Sequence, residues 1–202
     1  MEINKAFITI GLATALLQMP VAADAQHAGS ACCDHGNKTC RQNPLLQKST
    51  LPFGAPDFAR IKETDYLPAI EAAVKQQREN IQKIVDNKAK PTFANTILAY
   101  ENSGVLLENV SNVFFGLCSA HKTPVIADTE KKVTPLLTDL DNEISFNQKL
   151  FERIKYVYDH EYKSLTGEDQ RLTEVIYKGF VRSGAMLSAD KMQRMKQINS
   201  RI

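Results

Sequence analysis

His160-Glu161-Tyr162-Lys163-Ser164 is the stretch whose spacing comes nearest to chemistry. In an HExxH helix two histidines one turn apart hold zinc, and the glutamate between them acts as general base. Here Ser164 stands where the second histidine belongs, so the set lacks a ligand. His160 and Glu161 are therefore expected to be surface residues. A second cluster, Cys32-Cys33-Asp34-His35 with Cys40, gathers three thiols and an imidazole in a short polar stretch that also holds His27. Adjacent cysteines lack the CxxC spacing that lets two thiolates converge on a tetrahedral metal. Three readings stay open: a disulfide from Cys40 to Cys32 or Cys33, a lipid anchor on Cys32 after Gly29-Ser30-Ala31, and a metal site. His121 sits alone at an expected helix end, where an imidazolium suits the dipole. Cys118 reads as a small buried hydrophobe. No serine has a histidine and an acid that the sequence can nominate. No catalytic, metal-ligating or substrate-binding residue is assigned.

Composition narrows the classes. With 202 residues the chain can hold one domain or part of a larger one, and its 43% hydrophobic and 24% charged fractions suit a soluble globular protein. Net charge +2, with the signs mixed throughout, argues against a nucleic-acid partner. None of the nine glycines falls in a phosphate-cradling pattern.

Residues 1–25 read as an export signal. Lys5 gives a weak positive start, Ala6 to Leu17 an apolar run too short to span a bilayer, and Ala23-Asp24-Ala25 a cleavage site before Gln26. No transmembrane segment is expected, and the expected compartment is the periplasm. Residues 26–48 form the cysteine-containing linker, and 49–202 the helical region.

Within the body, Asn43-Pro44 to Pro56 reads as an extended, proline-punctuated lead-in. Thr64 or Asp65 is expected to cap a helix to about Asp86, with Leu67, Ile70, Val74, Ile81 and Ile84 on one face. A second helix is expected from Asn95 to Cys118, its mid-helix Gly104 permitting close approach of a neighbour. A third covers Glu130 to Leu140 around Pro135, and a fourth Ile144 to Tyr162, burying Leu150, Phe151, Ile154 and Val157. Leu172, Val175, Ile176, Phe180 and Val181 mark one face of a fifth, which Gly184 ends in a left-handed turn. Ser188 then caps a helix with Met192, Met195 and Ile198 that is unfinished at Ile202. The fold class expected is all-α, an antiparallel helical array with short turns.

Particular residues carry a resemblance. They are Asn43-Pro44-Leu45, Ser49-Thr50-Leu51-Pro52-Phe53, Ala55-Pro56-Asp57-Phe58 and Tyr66-Leu67-Pro68-Ala69. Further on come Asn95-Thr96-Ile97-Leu98-Ala99, Glu101-Asn102-Ser103-Gly104, Val113-Phe114-Phe115 and Phe180-Val181-Arg182-Ser183-Gly184-Ala185, with Lys191 and Asn199. From Asn43 to Ile202 the chain resembles the N-terminal part of the peptidyl-dipeptidases, or dipeptidyl carboxypeptidases, in the thimet-oligopeptidase-like family of zinc metallopeptidases. The resemblance implies a two-lobed helical ellipsoid around a deep channel. It also implies a zinc held by HExxH and a downstream glutamate in the C-terminal half, where zinc-bound water attacks the peptide bond. The implied substrates are oligopeptides, which lose C-terminal dipeptides.

None of the family's zinc ligands or catalytic groups maps onto residues 1–202. The leading expectation is thus an N-terminal fragment of an exported zinc peptidyl-dipeptidase, inactive without its C-terminal catalytic half and binding no zinc itself. The alternative is a free-standing exported helical module that binds a peptide or protein. A free-standing module should unfold cooperatively as a monodisperse species, whereas a fragment should expose apolar stripes and tend to aggregate.

Overall fold

The computed structural model describes residues 41–199. The expected signal peptide, His27, His35 and Cys32, Cys33 and Cys40 lie outside the described residues, as do residues 200–202. Among the described residues the fold is all-α, with no strand.

Helix α1, Tyr66–Asp86, follows from its apolar spacing. Ala69, Ile70, Ala73, Val74, Ile81 and Ile84 recur at three- and four-residue steps, and all are buried. Pro68 sits in the first turn, where its missing N–H is not needed. The expected side-chain cap is corrected: Asp65 makes no capping bond to α1. Its carboxylate turns back, accepting the Lys62 N–H at 2.7 Å and two bonds from Arg41 at 2.7 and 2.9 Å. Asn43 Nδ2 donates to the Asp65 carbonyl at 2.8 Å. Among the described residues, contacts with the body are thus already made by Arg41 and Asn43, within the linker expected over 26–48. The lead-in is also less extended than expected, because one-turn 3-10 helices form at Pro44–Leu46 and Pro52–Gly54.

The long second helix is corrected to several pieces. Thr92 and Asn95 cap each other, with Asn95 N–H to Thr92 Oγ1 at 3.3 Å and Thr92 N–H to Asn95 Oδ1 at 2.9 Å. A wide π-type turn, Phe93–Leu98, follows and buries Thr96 and Ile97 completely. The short α2, Ala99–Glu101, gives way to a 3-10 turn at Asn102–Gly104, and only then does α3, Val105–Ala120, begin. The break has a local cause. Asn102 Nδ2 donates to the Leu98 carbonyl and Ser103 Oγ to the Tyr100 carbonyl, so side chains compete with the helical ladder just before glycine. Close approach at Gly104 is real: a Cβ there would lie 2.7 Å from Gln77 Nε2 of α1.

Helix α4, Pro124–Ser145, starts six residues before the expected Glu130. Thr123 caps it by accepting the Ile126 N–H at 3.2 Å, and Pro124 takes the first helical position. Pro135 neither starts nor stops it. Ile126, Val133, Leu140 and Ile144 form its buried stripe. Asn147 then caps α5, Gln148–His160, through the Leu150 N–H at 3.0 Å, so the expected fourth helix starts four residues late and ends two early. Leu150, Phe151, Ile154 and Val157 are buried as expected. Helix α6, Gly167–Ser183, ends at Gly184 with φ 99°, the expected left-handed stop. Val175 is 48% exposed and leaves the proposed apolar face, on which buried Thr173 takes a place instead. In α7, Ala189–Asn199, the Ser188 carbonyl accepts the Met192 N–H at 2.9 Å, and no residue is buried.

Paired residues fix the helix directions. Tyr66 packs on Phe114 and Asn80 bonds the Ser103 carbonyl, so α1 and α3 run antiparallel. Thr123 bonds Glu63 at 2.9 Å and Arg78 pairs with Glu143 at 2.6 Å, so α1 and α4 run parallel. The array is thus not antiparallel at every neighbour. Helices α5 and α6 form a hairpin, joined by Phe151 stacking on Tyr177 and Phe180, and by Tyr158 on Tyr177 at 4.0 Å between centroids. One core joins α1, α3 and α4 to this hairpin, and its fully buried members Ile70, Ile97, Phe114, Ile126, Leu150 and Ile154 contribute about 1.5–3 kcal/mol each.

Candidate functional site

The incomplete HExxH segment is a helix terminus. His160 is the last residue of α5 and is exposed; its ring stacks on Tyr156 with centroids 4.0 Å apart. Because α5 stops there, Ser164 falls in a 3-10 turn, Tyr162–Ser164, and donates to the Glu161 carbonyl at 2.7 Å. His160 is a surface residue as expected, but Glu161 is more than that. Its carboxylate accepts the Phe93 N–H at 2.8 Å, supplying an acceptor to the first residue of the π-type turn. No pattern in the sequence links positions 68 residues apart, so this role was not legible.

Arg153 serves the same loop from about two turns back along α5. One terminal nitrogen donates to the carbonyls of Asn87 and Ala89 at 2.8 and 3.3 Å. The other reaches Asn95 Oδ1 and Thr96 Oγ1 at 3.2 and 3.4 Å. Burial lowers the pKa of this guanidinium. Arg153 lines an open pocket of about 450 Å³ with Lys88, Lys149, Glu152 and Tyr156. All four of its terminal N–H bonds are committed to the loop, so it acts there as a strut.

A second groove, of about 410 Å³, lies where α1, α3 and α4 meet. Gln77, Tyr100, Gly104 and Ser111 line it, with Glu101, Glu108 and Asp141. Burial, helped by Asp141 and Glu101, pushes the Tyr100 phenol up to about 12. The groove has acids and a phenol but no histidine or cysteine to form a nucleophile–base pair. Cys118 is half-buried; burial, then Glu130, raises its thiol pKa, which suits a packing role better than a nucleophile. His121 follows the last turn of α3, its N–H donating to the Leu117 carbonyl at 2.8 Å, and is exposed.

Among the described residues no three His, Cys, Asp or Glu side chains come together as a metal-ligand set. They do not fit zinc. Nor, among them, is any helix long and apolar enough to cross a membrane.

Three relatives give this geometry its setting. The dipeptidyl carboxypeptidase of Salmonella typhimurium is 40% identical over 159 residues, covering 78% of this chain and 23% of that protein. The dipeptidyl carboxypeptidase of Escherichia coli is 38% identical over the same shares. Oligopeptidase A of E. coli is 24% identical over 161 residues, 79% of this chain and 23% of its own length. No protein-family profile matches the chain. Over the stretch matched, the chain is similar to dipeptidyl carboxypeptidases and, more weakly, to oligopeptidase A. Its identity to the dipeptidyl carboxypeptidases exceeds its identity to oligopeptidase A. The chain spans about a quarter of the length of these relatives.

Proposed function

We propose that this chain is the first part of an exported zinc metallopeptidase that releases C-terminal dipeptides from oligopeptides. In this reading the metal ligands, general base and oxyanion-stabilising groups lie in the remainder, and residues 41–199 form one wall of the substrate channel. The observation that carries it is 40% identity across 78% of the chain set against 23% of the S. typhimurium dipeptidyl carboxypeptidase. A match so complete on one side and so partial on the other suits a piece better than a whole.

The test is a mass measurement coupled to an assay. In the source cell, the peptide Ile61–Lys75 should be found in a species far heavier than 22.6 kDa. That species should release dipeptides and lose activity to a chelator, whereas the 202-residue chain alone should release none. A native species with the mass of the 202-residue chain less its signal peptide, and with no peptidase activity, points to a free-standing peptide- or protein-binding module. Export is checked on the same material, since cleavage after Ala25 leaves Gln26 at the N-terminus.

A further inference from the structure

We propose that the turn Leu51–Gly54 docks on the part of the longer polypeptide outside the matched stretch, with the Phe53 ring as its anchor. The inference rests on the reading that the chain is one part of a longer peptidase.

The turn is built to present that ring. Phe53 is fully exposed, at 108%, and its neighbours Leu51 and Phe58 are 41% and 58% exposed. Phe53 also adopts φ 59°, and Gly54 follows at φ 70°. Two successive left-handed residues are unremarkable for glycine and costly for phenylalanine, whose Cβ crowds the backbone there. The turn is nevertheless closed by its own bonds. Gly54 N–H donates to the Leu51 carbonyl at 3.1 Å, Ala55 N–H to the Pro52 carbonyl at 3.2 Å, and Ser49 Oγ to the Ala55 carbonyl at 2.5 Å. Backbone strain of this kind persists where surrounding structure demands it. Those bonds hold the backbone, but among the described residues nothing covers the ring or offsets its exposed apolar area.

The occupant follows from length. With 23% of each dipeptidyl carboxypeptidase matched, 100 − 23 leaves 77% of that relative to pack against this piece. Its seat is an apolar pocket that takes one aromatic ring, because Phe53 is the group this turn presents.

The test compares Phe53→Gly in two settings: the 202-residue chain, and a fusion in which that chain replaces the matching first segment of the S. typhimurium dipeptidyl carboxypeptidase. Glycine removes the ring and relieves the left-handed backbone. In the chain alone the substitution should leave the unfolding midpoint unchanged or raise it. In the fusion, whose length is several times that of this chain, it should lower the midpoint by about 1–2 °C. A fusion that releases dipeptides, with a midpoint that Phe53→Gly leaves unchanged or raises, overturns the docking inference and leaves the peptidase reading intact. A fusion that neither releases dipeptides nor melts as a unit overturns both. Concentration-dependent association of the 202-residue chain that Phe53→Gly abolishes assigns the turn to a second copy, and the inference fails.

Discussion

Glu161 shows how one carboxylate can matter without doing chemistry. Replacing it with alanine leaves the Phe93 N–H without its acceptor and should destabilise the fold by about 1 kcal/mol in urea titration. An unchanged midpoint would mean that water serves equally well. Asp65 gives a pH-dependent counterpart. Burial pushes its carboxyl up, but bonds from Arg41 and the Lys62 N–H outweigh that and hold it below its usual value. A carboxyl with a depressed folded pKa stabilises above its unfolded value, about 4, and that contribution is lost as pH falls through the folded value. Stability measured by urea should therefore decline below about pH 4. Asp65→Asn should cost about 2 kcal/mol at neutral pH and flatten that acid limb. An equally steep limb in the variant would place the lost stability in other groups.

At the scale of elements, two glycines make opposite predictions. Gly184 ends α6 at φ 99°, and a Cβ there would lie 2.7 Å from Leu187 Cδ1. Gly184→Ala should therefore destabilise, by about 1–3 kcal/mol. Gly179 lies inside α6 with open space where a Cβ would go, so Gly179→Ala should stabilise by up to about 1 kcal/mol. Thermal midpoints that move in the same direction would refute the contrast. The Gly184 stop was legible because a glycine after an apolar period has few other uses. The α5 core was legible too, since Leu150, Phe151, Ile154 and Val157 keep helical spacing. The breaks at 102–104 and 146–147 were not. They are decided by side chains of Asn102, Ser103 and Asn147 bonding the backbone, which apolar periodicity does not register. The roles of Glu161 and Arg153 were hidden for a different reason: both depend on contacts with partners more than fifty residues away.

For the whole molecule, the buried core runs from α1 to α6, while α7 buries no residue and touches the body through a few bonds, including Asn199 Nδ2 to Asn142 Oδ1 at 2.7 Å. Hydrogen exchange should therefore find the α7 amides exchanging well before those of α1 and α5. Equal protection would mean that α7 belongs to the same cooperative unit. The Arg153 strut sets a timetable for synthesis. Asn87 and Ala89 precede it by 66 and 64 residues, and at about 5–20 residues per second it emerges roughly 3–13 s after them. Throughout that interval α1 can be helical while the segment behind it has no guanidinium to gather its carbonyls. The nascent chain is then most open to proteases and chaperones at residues 87–96, and the arrival of α5 closes that window.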